Sequence, residues 1–319
     1  MKPAQITIPS GIQSFVIVNR SRPAKEERAK NIIEGALTGE APFVDRHGAE
    51  ACVKGLADGL SNSPRFKAYL PDRYDLRGTG TREFPQPLDW NLVTDICTKH
   101  NVDAIISLET FDSNNHFDMH ERQAERKEKN QVIKYTEYTA GLDVQIDAGW
   151  RIYYPLQKQL VDQNVFIDNK RWTNSNDSKK RAEQGLPSQE RSVSDAGSFA
   201  GNQYAIRVSP RWIWVSREYY KKGNTDFETA TRKIQTNDWK GAAEYWQKQT
   251  QNPDPKIAGM ANFNMALACE MEGNLDAALE WLKKAYTDYN NKKARYYMAT
   301  IQQRIDDQYR LDEQMKGVQ

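Results

Sequence analysis

Residues 261–286, ANFNMALACEMEGNLDAALEWLKKAY, carry two apolar stripes at helical spacing, interrupted once by Gly273-Asn274. Small residues fall where two antiparallel helices would touch, because alanine at such points lets the helices approach closely. Glycine and asparagine are typical of the turn between helices, since both residues tolerate a left-handed backbone. The stretch therefore predicts a helical hairpin, and hairpins of this kind commonly present a surface to other proteins.

The hairpin has an earlier counterpart in the same chain. QTNDWKGAAEYW (235–246) aligns with MEGNLDAALEWL (271–282) at an offset of 36 positions, which places Asn237 on Gly273. The apolar and small positions coincide along both segments, so the match extends beyond the turn. The chain therefore predicts two helical units and a closing helix over 226–319.

The first part of the chain alternates between strand and helix patterns. Short β-branched and apolar runs predict strands, while apolar residues three and four positions apart predict helices. The predicted strands are QITI (5–8), FVIVN (15–19), RFKAYL (65–70) and VDAIISLE (102–109), and the predicted helices cover 25–37, 49–60 and 92–97. This alternation is typical of helices packed on a sheet.

After residue 131 the apolar period changes to two, which predicts an antiparallel hairpin that extends the sheet. Asp147-Ala148-Gly149 is interpreted as its turn. The polar stretch 169–191 has no periodicity and is predicted to be an exposed loop. Residues 193–208 are predicted to be helical, and the aromatic run PRWIWVSREYY (210–220) follows them.

The predicted fold class is α+β, with an α/β sheet domain followed by an all-α module. The sheet domain is expected over residues 1–191 and includes the polar loop 169–191. A helical and aromatic junction is expected over 192–225, and the helical repeats over 226–319. The aromatic residues of 210–220 are expected to seal the junction between the two domains.

The composition argues against several classes of partner. Lys and Arg number 45 against 43 Asp and Glu in 319 residues, which gives a formal charge of +2. Since no basic patch of one sign is evident, nucleic acid is not predicted as a partner. Cys52, Cys97 and Cys269 are scattered without metal-ligand spacing, so neither a disulfide framework nor a zinc site is expected. We expect no cofactor and no metal.

Offsets of 36 between the hairpins and 33 between 294–299 and 261–266 bracket the 34-residue period of tetratricopeptide repeats. The second hairpin resembles the signature of that family, with Ala278-x3-Leu282 at its Ala-x3-Phe positions. The resemblance implies a concave groove, lined by the first helix of each repeat, that holds a protein or peptide partner. The partner-binding residues it implies are Phe263, Asn264, Leu267, Glu270 and Lys293.

A wider resemblance covers the whole chain. The motifs VNRS (18–21), SNSPRFKAYLPD (61–72), AGWRIYYP (148–155), WVSREYY (214–220) and NDWKGAAEYW (237–246) follow one another in this order. With them the chain resembles a family of uncharacterised Bacteroidota envelope lipoproteins, in which a TolB-like N-terminal domain precedes tetratricopeptide repeats. The first half is also similar to the N-terminal domain of TolB and of the curli-secretion lipoprotein CsgG.

The lipoprotein resemblance implies a location in the cell envelope, in the periplasm or exposed at the surface. It also implies a signal peptide and a lipidated cysteine, neither of which is present in the 319 residues. Membrane attachment is therefore expected only through that inferred lipid anchor.

Three functions remain open on the sequence. The favoured function is a non-enzymatic scaffold that binds a partner through the groove. The second is a glycan-binding module that uses the aromatic cluster Trp212 to Tyr220, since exposed aromatic rings can form a platform for sugars. The third is a metal-dependent hydrolase that uses His116 and His120, whose spacing would put both rings on one face of a helix. No third ligand accompanies these histidines, and they are expected at a helix start.

Overall fold

The computed structural model describes residues 1–22, 44–71, 74, 76–80, 82–128 and 131–317. The chain divides into two compact units. One contains Ala4–Arg211 with Gln314–Gln319, and the other contains Trp212–Glu313 with Met1–Pro3. The first unit is built on a five-stranded sheet and the second is a series of helices, so the predicted α+β class is confirmed.

The sheet has the strand order β2-β1-β3-β4-β5. Strand β1 pairs in parallel with its neighbours β2 and β3, whereas β4 is antiparallel to both β3 and β5. The strands are β1 (Ser14–Asn19), β2 (Lys67–Tyr69), β3 (Ala104–Glu128), β4 (Gln131–Tyr154) and β5 (Gln159–Asn176). Because β3 and β4 are 25 and 24 residues long, their far ends form a hairpin well beyond β1 and β2.

Alternating side chains of β1 show how the sheet is covered. Phe15 and Ile17 enter one apolar cluster with α1 (Val44–Ser61) and α4 (Gln189–Val208), and Val16 and Val18 enter another with α2 (Trp90–His100). Both faces of this part of the sheet are therefore buried, which is why the strand reads as a continuous apolar run. The helices of this unit are α1 (Val44–Ser61), α2 (Trp90–His100), α3 (Lys179–Gln184) and α4 (Gln189–Val208).

Helices α1 and α4 approach so closely that their contact requires glycine. A Cβ atom at Gly201 would lie 1.8 Å from the carbonyl oxygen of Cys52, and one at Gly55 would lie 2.1 Å from that of Ser198. Helix α4 also contributes Tyr204, which stacks on Trp150 of β4 with ring centroids 4.8 Å apart. The sheet unit therefore extends to Arg211, rather than ending at residue 191.

Four expectations for the first half need correction or fall outside the described residues. Residues 5–8 form no strand, and Asp147-Ala148-Gly149 forms no turn, because β4 continues through it to Tyr154. The predicted loop 169–191 is wrong as well, since it contains the end of β5, α3 and the start of α4. The helix predicted over 25–37 lies outside the described residues.

The second unit consists of helices connected by short turns. They are α5 (Thr225–Gln235), α6 (Trp239–Gln249), α7 (Pro255–Met271), α8 (Leu275–Thr287) and α9 (Lys292–Gln314). Two apolar clusters run through them: Phe227, Ala242 and Trp246 belong to one, and Ala278 and Leu282 to the other. Each cluster fills the space between successive helices, as expected for stacked helical hairpins.

The internal alignment at an offset of 36 holds in the structure. Helices α6 and α8 begin at the aligned residues Trp239 and Leu275. Asn237 and Gly273 both have a left-handed backbone, with φ of 60° and 80°. The residues that follow them, Asp238 and Asn274, cap the two helices with their side chains. The predicted pair of helical units is therefore present, although the alignment by itself does not identify their family.

Candidate peptide-binding site

An extended segment of the chain leads into the helical unit. Residues 212–222 contain no helix, strand, turn or bend. Helix α7, against which this segment lies, is buried without interruption from Ala258 to Met265 and on to Ala268. A surface helix would expose one polar face, so continuous burial means that α7 is covered on all sides. The segment supplies part of that cover.

Asn264 of α7 holds the backbone of this segment. Its side-chain oxygen accepts a hydrogen bond from the backbone N–H of Tyr220 (2.9 Å), and its Nδ2 donates to the carbonyl oxygen of Tyr220 (2.8 Å). Asn264 has no exposed surface, and the two bonds to the half-buried Tyr220 are partly buried. A side-chain amide that pairs with both backbone groups of one residue mimics a strand partner and is indifferent to the side chain there.

Glu270, six residues further along α7, holds an arginine of the same segment. Its carboxylate accepts hydrogen bonds from Nε (2.9 Å) and Nη2 (2.8 Å) of Arg217, and from Tyr297 and Arg304 of α9. Glu270 is only 3% exposed. Burial alone would raise its pKa, but the bonds from Arg217, Tyr297 and Arg304 outweigh burial and hold the pKa below its ordinary value. The ionised carboxylate is therefore the stable form.

Aromatic rings line the site between these two polar contacts. The ring of Phe263 lies 5.3 Å from Tyr220 of the segment at an interplanar angle of 77°, and 5.3 Å from Tyr297. Edge-to-face contacts of this kind favour a fixed ring orientation. Tyr219 turns the other way and packs near Trp246, with centroids 6.3 Å apart. Both tyrosines pack against the two apolar clusters of the helical unit.

Lys293 closes the rim of the site. Its Nζ lies 2.7 Å from the Glu218 carboxylate and 5.9 Å from the centre of the Tyr220 ring. Both members of the ion pair are more than half exposed, so we expect the pair to contribute little to stability. The ion pair instead contributes to specificity, because Lys293 favours an acidic residue at this position of a bound segment.

The structure brings the five sequence-predicted residues to one place. Phe263, Asn264, Glu270 and Lys293 each contact the segment, and Leu267 lies in the apolar cluster on which Tyr219 and Tyr220 pack. The expected open groove is not observed, since the chain's own residues 217–220 occupy it. That an external partner binds there remains a prediction.

Sequence reasoning missed the residues that complete the site. Arg217, Tyr297 and Arg304 are recognised only once α7, α9 and the segment are folded together. Arg217 lies outside any periodic pattern, and Arg304 is seven residues from Tyr297 on α9, a spacing equally typical of a solvated helix. The available signal was the buried acid itself: an acidic residue on an otherwise apolar helix requires cationic partners.

The aromatic run 210–220 does not behave as one cluster. Trp212 is 69% exposed and Trp214 is fully exposed, whereas Tyr219 and Tyr220 pack in the helical unit. The prediction that these tryptophans are buried in a seal is therefore wrong. Ile213 and Val215 between and after them are exposed as well, so four successive large apolar side chains face solvent.

His116 and His120 lie on strand β3, not at a helix start. Both rings are exposed, with Asp118 between them on the same side of the strand. Asp118 lies 3.2 Å from His120, and its pKa is lowered mainly by a hydrogen bond from Arg171. Within the described ranges, no three or more His, Cys, Asp or Glu side chains are grouped as metal ligands.

A buried charged cluster surrounds Glu109 in the sheet unit. Glu109 is fully buried at the end of the parallel part of β3 and lies 3.0 Å from Arg20, 3.7 Å from Arg151 and 2.8 Å from the Tyr153 hydroxyl. Burial, with Glu109 as a second cause, raises the pKa of Tyr153 to about 12. Arg20 and Arg151 also donate to backbone carbonyls, Arg20 to that of Gln86. The charged side chains of this cluster thus form their hydrogen bonds with other groups of the sheet unit.

No described helix has both the length and the apolar character needed to cross a bilayer. The comparison with curated proteins returned no match. Among solved structures, the chain is similar to a homologue of neuraminyllactose-binding hemagglutinin from Helicobacter pylori, at 9% identity and a TM-score of 0.24. That match covers 66% of this chain and 88% of the other.

Two family models match successive parts of the chain. Residues 228–304, in the helical unit, match a domain of unknown function, DUF6340. Residues 12–220 match another domain of unknown function, DUF8603, whose model spans the sheet unit and ends at Tyr220. Because this second match covers well over half of the sequence, the chain belongs to the DUF8603 family.

Proposed function

We propose that the protein is a non-enzymatic binding protein whose helical unit holds an extended segment of a protein partner. The observation that supports this proposal is the bond pair between Asn264 and the backbone of Tyr220. These two bonds require an extended chain and no particular side chain, as in other modes of peptide recognition that use backbone groups. Glu270 and Phe263 then add selectivity for the side chains of the bound segment.

We place the protein in the bacterial cell envelope as part of the same proposal. Its support is the sequence resemblance to Bacteroidota lipoproteins with a TolB-like domain and tetratricopeptide repeats. A lipid anchor on a cysteine upstream of the 319 residues would attach the protein to a membrane surface. Fractionation of cells that express the complete gene, with palmitate labelling, tests this location. Recovery of an unlabelled protein in the cytosol would contradict it.

Position-specific cross-linking tests the binding function. A photoreactive phenylalanine replaces Lys293 at the rim of the site, and a control protein carries it at Lys283 on α8, another half-exposed lysine. We expect a cross-linked protein partner from envelope extract at position 293 and not at 283. The cross-link from position 293 should disappear when the same protein also carries Asn264→Ala and Glu270→Gln. Circular dichroism must show that this substituted protein is folded.

Two results would contradict the proposal. One is equal cross-linking at positions 293 and 283, which would indicate nonspecific contact. The other is a cross-link that survives the loss of Asn264 and Glu270, because the partner would then be held by another surface. Absence of any cross-linked protein would count against the proposal in the same way.

Glycan binding is a second candidate function, and the exposure of Trp212 and Trp214 favours it. Side chains two residues apart on an extended chain fall on the same side, so sugar rings could stack on both tryptophans. Titration with a panel of soluble oligosaccharides, monitored by tryptophan fluorescence, tests this function. We expect binding by the native chain and none by the Trp212→Ala, Trp214→Ala double variant. Unchanged fluorescence across the panel would exclude it.

A further inference from the structure

Residues 217–220 occupy the site as a ligand would. We propose that this four-residue segment, the inner part of the extended stretch 212–222, is a displaceable internal ligand. The partner then presents the same pattern: an extended segment with arginine followed three positions later by tyrosine. This inference rests on the proposed function and specifies the partner's chemistry. It also assigns a regulatory role to the segment, since the partner must compete with it.

The pattern follows from what each part of the site accepts. Glu270 is buried and ionised, so the group opposite it must be cationic and able to donate several hydrogen bonds, which the arginine fork does best. Phe263 and Tyr297 leave a ring-shaped space that Tyr220 fills, and the Tyr220 hydroxyl donates to the side-chain oxygen of Asn291 (3.2 Å). Because Arg217 and Tyr220 are three positions apart, two residues of extended chain separate these two requirements.

The segment can leave without disrupting a helix. Residues 211–216 before it and 221–223 after it are exposed. Its departure breaks side-chain contacts and the two bonds to Asn264, but no helical backbone bond. Glu270 would still be paired with Arg304 and Tyr297, both on α9, so its buried charge would not be left unpaired. The site is therefore stable enough to exist with the segment released.

The family boundaries coincide with this division. The segment lies at the very end of the 12–220 match, whereas Phe263, Asn264 and Glu270 lie in the separate match over 228–304. Ligand and site thus come from two sequence modules that meet in this chain. Tethering keeps the internal ligand at a high effective concentration, which weakens the apparent affinity for any competitor.

Peptide binding in trans tests the inference. The probe is a labelled, end-blocked peptide with the sequence of residues 215–222, VSREYYKK, titrated against the full chain by fluorescence anisotropy. We expect weak binding to the native chain and at least about tenfold tighter binding to Arg217→Ala, which loses charged hydrogen bonds of its internal ligand. Arg211→Ala, which alters an exposed arginine outside the segment, should bind like the native chain.

A second variant protects the test against misfolding. Glu218→Lys places a like charge opposite Lys293 at an exposed position, so it loosens the segment without touching the interior. We expect about threefold tighter peptide binding, in keeping with a rim ion pair. Peptides in which alanine replaces the arginine or the second tyrosine should bind at least about tenfold more weakly to every variant.

The inference is overturned if the native chain, Arg217→Ala and Glu218→Lys all bind the peptide equally or not at all. It is also overturned if the alanine-substituted peptides bind as well as the original. Cross-linking at position 293 decides the proposed function separately. A cross-linked partner together with failed peptide binding would leave the binding function standing and remove the arginine and tyrosine pattern.

Discussion

Two buried glutamates, one in each unit, have hydrogen-bonding partners of the same residue types. Glu109 pairs with Arg20, Arg151 and Tyr153, and Glu270 pairs with Arg217, Arg304 and Tyr297. Burying a carboxylate is costly unless cations and hydrogen-bond donors surround it, so both arrangements are expected on physical grounds. The clusters differ in the elements that carry their partners. Arg151 and Tyr153 are fixed on β4, whereas Arg217 comes from an irregular segment.

Glu270→Gln is expected to lower the free energy of unfolding by about 3 kcal/mol at neutral pH, because Arg217 and Arg304 lose a buried carboxylate. The pKa of Glu270 is lower in the folded than in the unfolded chain. Its stabilisation is therefore present above the unfolded pKa of about 4.3 and is lost as the pH falls through the folded value. Urea unfolding at pH 7 and pH 3.5 measures the difference.

At low pH the native chain and Glu270→Gln should approach the same stability. Glu244→Gln, at an exposed position of α6, serves as the control and should match the native chain at both values of pH. A gap between native chain and Glu270→Gln that is the same at pH 7 and 3.5 would mean that the Glu270 charge does not stabilise the fold.

Asn264→Ala removes both hydrogen bonds to the backbone of Tyr220. Because Asn264 is buried and the two bonds are partly buried, the unpaired N–H and C=O groups of Tyr220 should cost about 1 to 3 kcal/mol, unless the segment leaves the site and reaches water. Thermal unfolding followed by circular dichroism measures the loss. Gln302→Ala, a surface amide on α9, should change the stability by less than about 0.5 kcal/mol. Equal effects of the two substitutions would contradict the assigned role of Asn264.

At the level of elements, the sequence predicted the helices of the second unit well and the long strands poorly. Helical periodicity and the turn residues agree between the two hairpins, so each signal supports the other. In β4, Gly149 suggested a turn, but its function is close approach: a Cβ atom there would lie 2.3 Å from the hydroxyl of Thr110. A glycine in an apolar run can mark either a turn or a close approach of a neighbouring group, and only the strand register distinguishes the two roles.

Strand β5 was missed for a different reason. It is an edge strand in which no side chain is fully buried, so its sequence does not need the apolar alternation of a half-buried strand. Trp172 and Asn174 face the same side of the sheet as Leu142 and Ala140, their paired residues on β4. This pairing is long-range, and no local signal in a polar stretch such as 169–176 reports it.

The turn at Gly273 offers a test of the helical hairpins. A Cβ atom there would meet nothing within 4 Å, so the left-handed φ of 80° is the reason for glycine. Gly273→Ala should therefore cost about 1 to 2 kcal/mol, while Gly273→Asn should cost clearly less, because asparagine tolerates this conformation. Thermal unfolding of both variants gives the comparison. If alanine and asparagine destabilise equally, backbone conformation does not govern this turn.

At the level of the whole molecule, the position of the division between the units was not predictable from the sequence. The polar stretch 169–191 looked like a boundary, but it is folded into the sheet unit. The division lies at Arg211 and Trp212, where the sequence is aromatic instead of polar. Burial of Tyr219 and Tyr220 in the helical unit explains only part of that composition, because Trp212 and Trp214 remain exposed.

Limited digestion with trypsin should reveal this division. Arg211 is exposed and precedes an extended, exposed stretch, whereas Arg171 lies in β5 and is bonded to Asp118. Arg217 is bound to Glu270. Because proteases require a segment that can unfold locally, we expect cleavage after Arg211 before cleavage after Arg171 or Arg217.

Mass spectrometry of the early products should therefore show a fragment that begins at Trp212. The variant Arg211→Gln removes this cleavage site and serves as the control, so the fragment should disappear while the rest of the digestion pattern persists. Early fragments that begin at Trp172 would show that β5 opens more readily than the connection between the units. That result would support the exposed loop that the polar composition of the stretch 169–191 suggested.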